Sequence, residues 1–301
     1  MQTTPLTIPY HNIEWTLENG IQFPFTVARL DLLHPVVSGN KWFKLKYNLQ
    51  NAMNENKQGI LTMGGAYSNH LCATAFACFE QGLSSVGIIR GELKDPLNNS
   101  LTFCKKHGMQ LLPVSRVAYD ANSDVVNGIK QNNPHLLFVP EGGNNAAGLQ
   151  GCTEILSAIP DADQYTHILC AMGTGTTFKG IAAAAKPHQT VIGIPVLKIK
   201  AEEQQTFLQH HATTATAAVT TVLFQFAGAG YARTTQEQFN FMNSFYAKTS
   251  IPTDLVYTGK LMQAAITLAG QQYFPKNSRV LLIHSGGLQG NNSLPIGTLL
   301  Y

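Results

Sequence analysis

Charge is scarce in this chain. Lys, Arg, Asp and Glu together make up 12% of the 301 residues, and the formal net charge is +3. No basic stripe or run of like charge occurs, which argues against a nucleic-acid partner. Long apolar runs are also missing, so no membrane span is expected. The N-terminal MQTTPLTIPYHNIEW has no basic lead followed by an apolar run. No signal peptide is therefore expected, and the cytoplasm is the expected compartment. Cysteine is sparse and unpaired in pattern. The five, Cys72, Cys78, Cys104, Cys152 and Cys170, are scattered through mostly apolar segments. That fits reduced, buried thiols and argues against a disulfide framework or a zinc site. No His-Glu-x-x-His spacing appears, so no metal is expected, and His210-His211 reads as a surface pair ending a polar helix. Neither Ser68 nor Ser285 sits in a Gly-x-Ser-x-Gly elbow, which speaks against a serine hydrolase.

What the chain has is alternation. Short β-rich runs such as 59–63, 167–171, 221–226 and 279–284 alternate with helical segments such as 41–56, 69–81, 146–158 and 259–271. Ile168 to Met172 and Val280 to Ile283 are almost continuously apolar, as strands buried on both faces of a parallel sheet are. The rhythm predicts an α/β protein with helices covering both faces of open, mostly parallel sheets. The length allows two domains. The expected division is a large domain from residues 1–47 and 151–301 and a small inserted domain, 48–150, of four βα units. The Thr/Ala-rich segment 212–221 reads as a loop leading into a strand.

Glycine gathers at predicted strand ends. Gly64-Gly65-Ala66-Tyr67-Ser68-Asn69-His70 opens an apolar helix; Ser68 or Asn69 can cap it, and its amides can bind a carboxylate or phosphate. Gly173-Thr174-Gly175-Thr176-Thr177-Phe178-Lys179 follows a strand and opens a small-residue helix. Glycines and hydroxyls there make a phosphate cradle. Phe178 breaks both the Walker pattern and the dinucleotide fingerprint, so a single phosphate fits best and a nicotinamide oxidoreductase is weakened. Pro140-Glu141-Gly142-Gly143-Asn144-Asn145 and His284-Ser285-Gly286-Gly287 complete the set, at the strand ends where open α/β sheets bind ligands. Upstream, Ser38-Gly39-Asn40-Lys41 leads into Trp42, Leu45 and Leu49 at helical spacing. Lys41 would sit in a helix's first turn, the unfavourable end for a cation, where an amine is readied to act as a nucleophile. Lys44 and Lys46 read as solvated, with Lys44 at most pointing weakly at a cleft.

Taken in order, SGNKWFKLKYNL, GGAYSNH, PEGGNNAAGLQG, MGTGTTFKG, DLVYTGK and IHSGG resemble the 1-aminocyclopropane-1-carboxylate deaminase / D-cysteine desulfhydrase family. These are pyridoxal-phosphate enzymes of the tryptophan-synthase-β fold group, with the active site in the cleft between two domains. The resemblance implies pyridoxal 5'-phosphate held by Lys41, Asn69 beside its ring, and Gly173, Thr174, Gly175, Thr176 and Thr177 on its phosphate. It places Thr258 and Ser285 near the pyridine nitrogen, Ser68 against the substrate, and Tyr231 and Tyr257 near the reacting carbon. A homodimer is the family's expectation. The implied activity is a lyase acting on a small amino acid, D-cysteine desulfhydrase-like β-elimination first. The deaminase, a cysteine-synthase-like or dehydratase-like enzyme, and a non-catalytic cofactor-binding protein are the alternatives. Two departures stand out: Ala28-Arg29-Leu30-Asp31 replaces a more charged run, and His70 replaces the deaminases' Gln. Those deaminases also have Glu and Leu where this chain has Thr258 and Ser285.

Overall fold

The structure, a computed structural model, describes residues 6–212 and 217–301. Its strands in chain order are β1 (Tyr10–Thr16), β2 (Gln22–Arg29), β3 (Gly59–Gly64), β4 (Ser84–Arg90), β5 (Met109–Val114), β6 (Leu136–Val139), β7 (His167–Met172), β8 (Thr190–Pro195), β9 (Val219–Val222) and β10 (Val280–His284). Its helices are α1 (Asn40–Asn54), α2 (Asn69–Glu80), α3 (Asn99–Lys106), α4 (Asp124–Asn132), α5 (Ala146–Thr153), α6 (Thr176–Ala184), α7 (Ala201–His211), α8 (Gln236–Thr249) and α9 (Thr258–Gly270). The chain forms two compact units, Met1–Leu33 with Cys152–Tyr301, and His34–Gly151.

The larger unit carries a six-stranded sheet in the order β1-β2-β10-β7-β8-β9. Only the β1–β2 pair is antiparallel. The middle strands β7, β8 and β10 are buried along nearly their whole length, as their apolar sequences require. The smaller unit carries a four-stranded parallel sheet, β5-β4-β3-β6, each strand followed by a helix. The α/β reading with two mostly parallel, helix-covered sheets is therefore the observed architecture.

Differences lie where local pattern is weak. The sequence gives β1 no strand signal, because only Ile13 and Trp15 of its seven residues turn inward at this sheet edge. The predicted strand 221–226 is displaced: pairing runs Val219–Val222, and Phe224–Ala227 is a 3-10 turn. Of segment 212–221, residues 213–216 lie outside the described residues. The helix expected over 146–158 ends at Thr153. Residues 34–47, expected with the large body, group instead with the smaller unit. The reason is α1, which buries Leu45, Leu49 and Ala52 against Ile60, Ala73, Ala77 and Val139. All five cysteines are free and buried, and no helix among the described residues is long and apolar enough to cross a membrane.

The altered segment after β2 has a structural use. Arg29 Nη2 lies 2.6 Å from Asp31 Oδ2, and the ring of His284 lies 3.0 Å from Asp31 Oδ1 and 2.7 Å from the Pro252 carbonyl. All three side chains are buried, and together they hold the ends of β2 and β10 from which Ser285 projects. Burial alone would raise the Asp31 pKa, but hydrogen bonds from His284 and Arg29, reinforced by their charge, hold it far below the ordinary carboxylate range. A carboxyl depressed in the folded state stabilises fully above its unfolded value of about 3.9, and that contribution fades as pH falls below it. Asp31→Asn should therefore cost about 3–5 kcal/mol near neutrality by leaving Arg29 unpaired. In denaturant melts, its deficit against the unchanged protein should shrink below about pH 4. A deficit independent of pH would contradict this role.

Candidate active site

The glycine clusters all sit where strands end, and each unit gathers its own group of predicted site residues. Lys41, Ser68 and Asn69 lie in the smaller unit; the rest lie in the larger.

In the smaller unit, Gly39 enters α1 at φ 66°, a conformation glycine adopts without strain, and Asn40 and Lys41 are the helix's first two residues. Lys41 is half-buried, and its Nζ donates to Asn40 Oδ1 at 3.1 Å. Lys44 corrects the sequence reading: it is 3% exposed, and its ammonium donates to the Gly142 carbonyl at 3.0 Å. Lys46 is half-buried with its Nζ 4.9 Å from the centre of the Tyr47 ring. Ser68 is the N-cap of α2, accepting from the Leu71 amide at a long 3.4 Å. Asn69 is the first residue of that helix.

His70 is informative. The Thr62 hydroxyl donates to the Val139 carbonyl at 2.7 Å, so His70 Nε2, 2.9 Å from that hydroxyl, must be the donor between them. The ring is thus the neutral Nε2–H tautomer, and its buried Nδ1 has no hydrogen-bond partner. Burial, followed by the positive charges of Lys41 and Lys44, pushes the His70 pKa well below its usual value. A neutral imidazole with a bare acceptor therefore stands among the groups around Lys41.

In the larger unit, the Gly/Thr loop joins β7 to α6. Gly175 has φ 79° and directly precedes the helix, and the Thr174 and Thr176 hydroxyls lie 3.1 Å apart. A Cβ at Gly173 would come within 3.1 Å of the Tyr257 ring, so the loop and this tyrosine are neighbours. A Cβ at Gly175 would fall 1.9 Å from the His211 ring. His211 is thus half-buried, packed against the loop, rather than a freely exposed surface residue. Its Nε2 lies 3.3 Å from the Thr174 carbonyl, its Nδ1 lies 2.8 Å from the Phe207 carbonyl, and it stacks on Phe207. No local pattern marks it, since α7 and the loop are distant in sequence. His210 is exposed.

Tyr231 and Tyr257 meet edge to face with ring centres 6.4 Å apart. Asp254 is the residue the sequence reading missed. Its buried carboxylate accepts from the amides of Val256, Tyr257 and Thr258 and from the Thr258 hydroxyl, all within 2.7 to 2.9 Å. The Thr258 hydroxyl also accepts from the Asp254 amide at 2.7 Å. Gly287 packs on the same carboxylate, with 3.0 Å between its would-be Cβ and Asp254 Cγ. One carboxylate thereby brings together Tyr257, Thr258 and the Ser285–Gly287 turn. An Asp placed before a helix start is a capping signal that could have found it.

Each unit's donors suit part of a phosphorylated cofactor: in the larger, helix-start amides and hydroxyls for a dianion with backbone space kept clear by glycine; in the smaller, a lysine in a helix's first turn. Comparisons agree. The family model described as pyridoxal-phosphate dependent enzyme matches residues 4–286, so the chain belongs to that family. It is 29% identical over 285 residues, 89% of this chain and 90% of the relative, to a Thermotoga maritima protein named "Putative 1-aminocyclopropane-1-carboxylate deaminase". Among solved structures it resembles an ACC deaminase homologue, with TM-score 0.75, 21% identity, and 95% of this chain and 91% of that one covered. It also resembles the O-acetylserine dependent cystathionine beta-synthase of Helicobacter pylori, with TM-score 0.66, 15% identity and 99% of both chains covered. These likenesses show the fold, which is tryptophan-synthase-β-like. Gly175→Ala should weaken pyridoxal-phosphate binding by about tenfold or more, because the left-handed φ and the His211 ring both oppose a side chain there. Titration of the cofactor-free protein checks this, and an unchanged affinity would remove the loop from the phosphate site.

Proposed function

We propose that this member of the pyridoxal-phosphate dependent enzymes, a lyase or deaminase, catalyses β-elimination from a small amino acid with a good leaving group at the β carbon. D-cysteine is the favoured substrate. Water and D-cysteine would give pyruvate, ammonia and hydrogen sulfide. When bound, the cofactor supplies the electron sink. The protein supplies position and proton handling. Lys41 would hold the cofactor and, as a neutral amine, would take or relay the substrate's α-proton. Ser68 and the amides at the start of α2 bind the substrate carboxylate, with Asn69 beside the ring. Gly173 to Thr177 bind the phosphate. Tyr231 and Tyr257 would stand near the reacting carbon, and Thr258 and Ser285 near the ring nitrogen. The free, buried cysteines fit the reducing cytoplasm, and a homodimer follows from the family resemblance.

The observation that carries the choice of substrate is the state of Thr258. Its hydroxyl proton is donated to Asp254, and the Asp254 carboxylate is already filled by three amides. The group offered at this position is therefore an uncharged oxygen rather than a carboxylate. A carboxylate would keep a ring nitrogen protonated and strengthen the sink, which a carbon–carbon bond cleavage needs. A neutral oxygen suffices for a thiolate, whose conjugate acid is fairly acidic. Exchanging Thr258 for Glu would set a second buried carboxylate against Asp254, so the two arrangements are not interchangeable at a single position.

Ring opening of 1-aminocyclopropane-1-carboxylate is the second reading, favoured by the name of the Thermotoga relative. Release of 2-oxo acid from D-cysteine, L-cysteine, β-chloroalanine and aminocyclopropane carboxylate by the purified holoenzyme separates the two. D-cysteine should be turned over faster than the cyclopropane, with sulfide formed in equal amount to pyruvate. Faster ring opening would make the second reading correct.

A further inference from the structure

Lys260 lies in the first turn of α9 and is 2% exposed. Its ammonium is met by three backbone carbonyls: Gly230 at 2.6 Å, Ala227 at 2.9 Å and Val196 at 3.4 Å. Three protons and three acceptors match. Burial lowers the Lys260 pKa, and the negative charge of Asp254 acts in the opposite sense. The three carbonyls come from separate places. Val196 directly follows β8, while Ala227 and Gly230 bracket the turn that delivers Tyr231. Gly228 and Gly230 have φ 62° and 103°, and a Cβ at Gly228 would come 3.6 Å from Lys260 Cε. The turn is therefore wrapped closely around the lysine. Tyr257, three residues before Lys260, meets Tyr231 edge to face.

Carbonyl oxygens converging on a buried charge form the kind of cage that binds a free monovalent cation. We infer that Lys260 is such a cation tethered to the chain, and that its ammonium holds the 227–230 turn and so positions Tyr231 against Tyr257. It is a positioning residue, since it touches the turn and not the reacting atoms. Without the ammonium, three buried carbonyls would face a void, a cost that opens the turn rather than the sheet. The cage left behind would accept a small alkylammonium ion.

Lys260→Ala deletes the atoms from Cγ to Nζ, which are those of n-propylammonium. In the holoenzyme, amide exchange over 226–232 should accelerate about tenfold or more, while β7 and β10 keep their protection. Adding n-propylammonium should return most of that protection and most of the lost melting temperature. n-Propanol, equal in length and uncharged, should return neither. The unchanged protein, run at the same amine concentrations, subtracts any exchange of the amine at Lys41. Unaltered exchange in the variant, equal rescue by propanol, or equal gain in the unchanged protein would each overturn the inference. Should the alanine variant not fold, Lys260→Met fills the stem space without the charge; it should show the same local acceleration, and protected amides over 226–232 would overturn the inference. These readouts do not depend on the substrate, so they stand or fall separately from the proposed elimination.

Discussion

Everything proposed for Lys41 depends on α1 being unable to shift, and one close approach enforces that. A Cβ at Gly151 would lie 1.9 Å from the Phe43 carbonyl, and one at Gly148 would lie 2.1 Å from the Gly143 carbonyl. Backbone therefore packs on backbone between α1, the turn after β6 and α5. Side-chain amides reinforce the contact: Asn48 and Asn145 donate to each other at 3.2 and 2.7 Å. Lys44 ties the helix to Gly142 from the same side. With α1 held over its first three turns, Lys41 is carried on a rigid element, which a covalent anchor for a cofactor requires.

The larger unit solves a matching problem with charge. Asp254 is buried, and its carboxylate is filled by donors from the turn that it organises, as a buried charge must be. Lys260, two residues into α9, is satisfied by carbonyls. Asp31 is satisfied by Arg29 and His284. In each case a buried ion shapes the chain around it, and around Asp254 the neighbouring side-chain groups, the Thr258 hydroxyl and the Tyr257 phenol, are neutral. That neutrality is what the proposed elimination of a thiolate rests on.

Much of this was legible in the sequence. The α/β alternation, the buried strands β7 and β10, and four glycine clusters at strand ends could all be read, because glycine and turn residues are demanded locally by positive φ or close approach. The start of α1 with Lys41 in its first turn was legible for the same reason. What escaped depends on contacts between distant segments. His211 reads as a polar helix end until α7 is laid against the Thr174 carbonyl. Lys44 reads as solvated because most lysines are, and its burial shows only once the Gly142 carbonyl, distant in sequence, is brought to its ammonium. The edge strand β1 escaped because its polar, half-exposed residues carry little alternation. The boundary after residue 47 was misplaced because nothing local says which body α1 will cover.

Lys41 is proposed to anchor the cofactor, and borohydride trapping tests this most directly. Reduction of the yellow holoenzyme, proteolysis and mass mapping should place a single phosphopyridoxyl group on the peptide containing Lys41, with Lys44, Lys46, Lys179 and Lys260 unmodified. A label on any of those four, or on none, would contradict the assignment of this site.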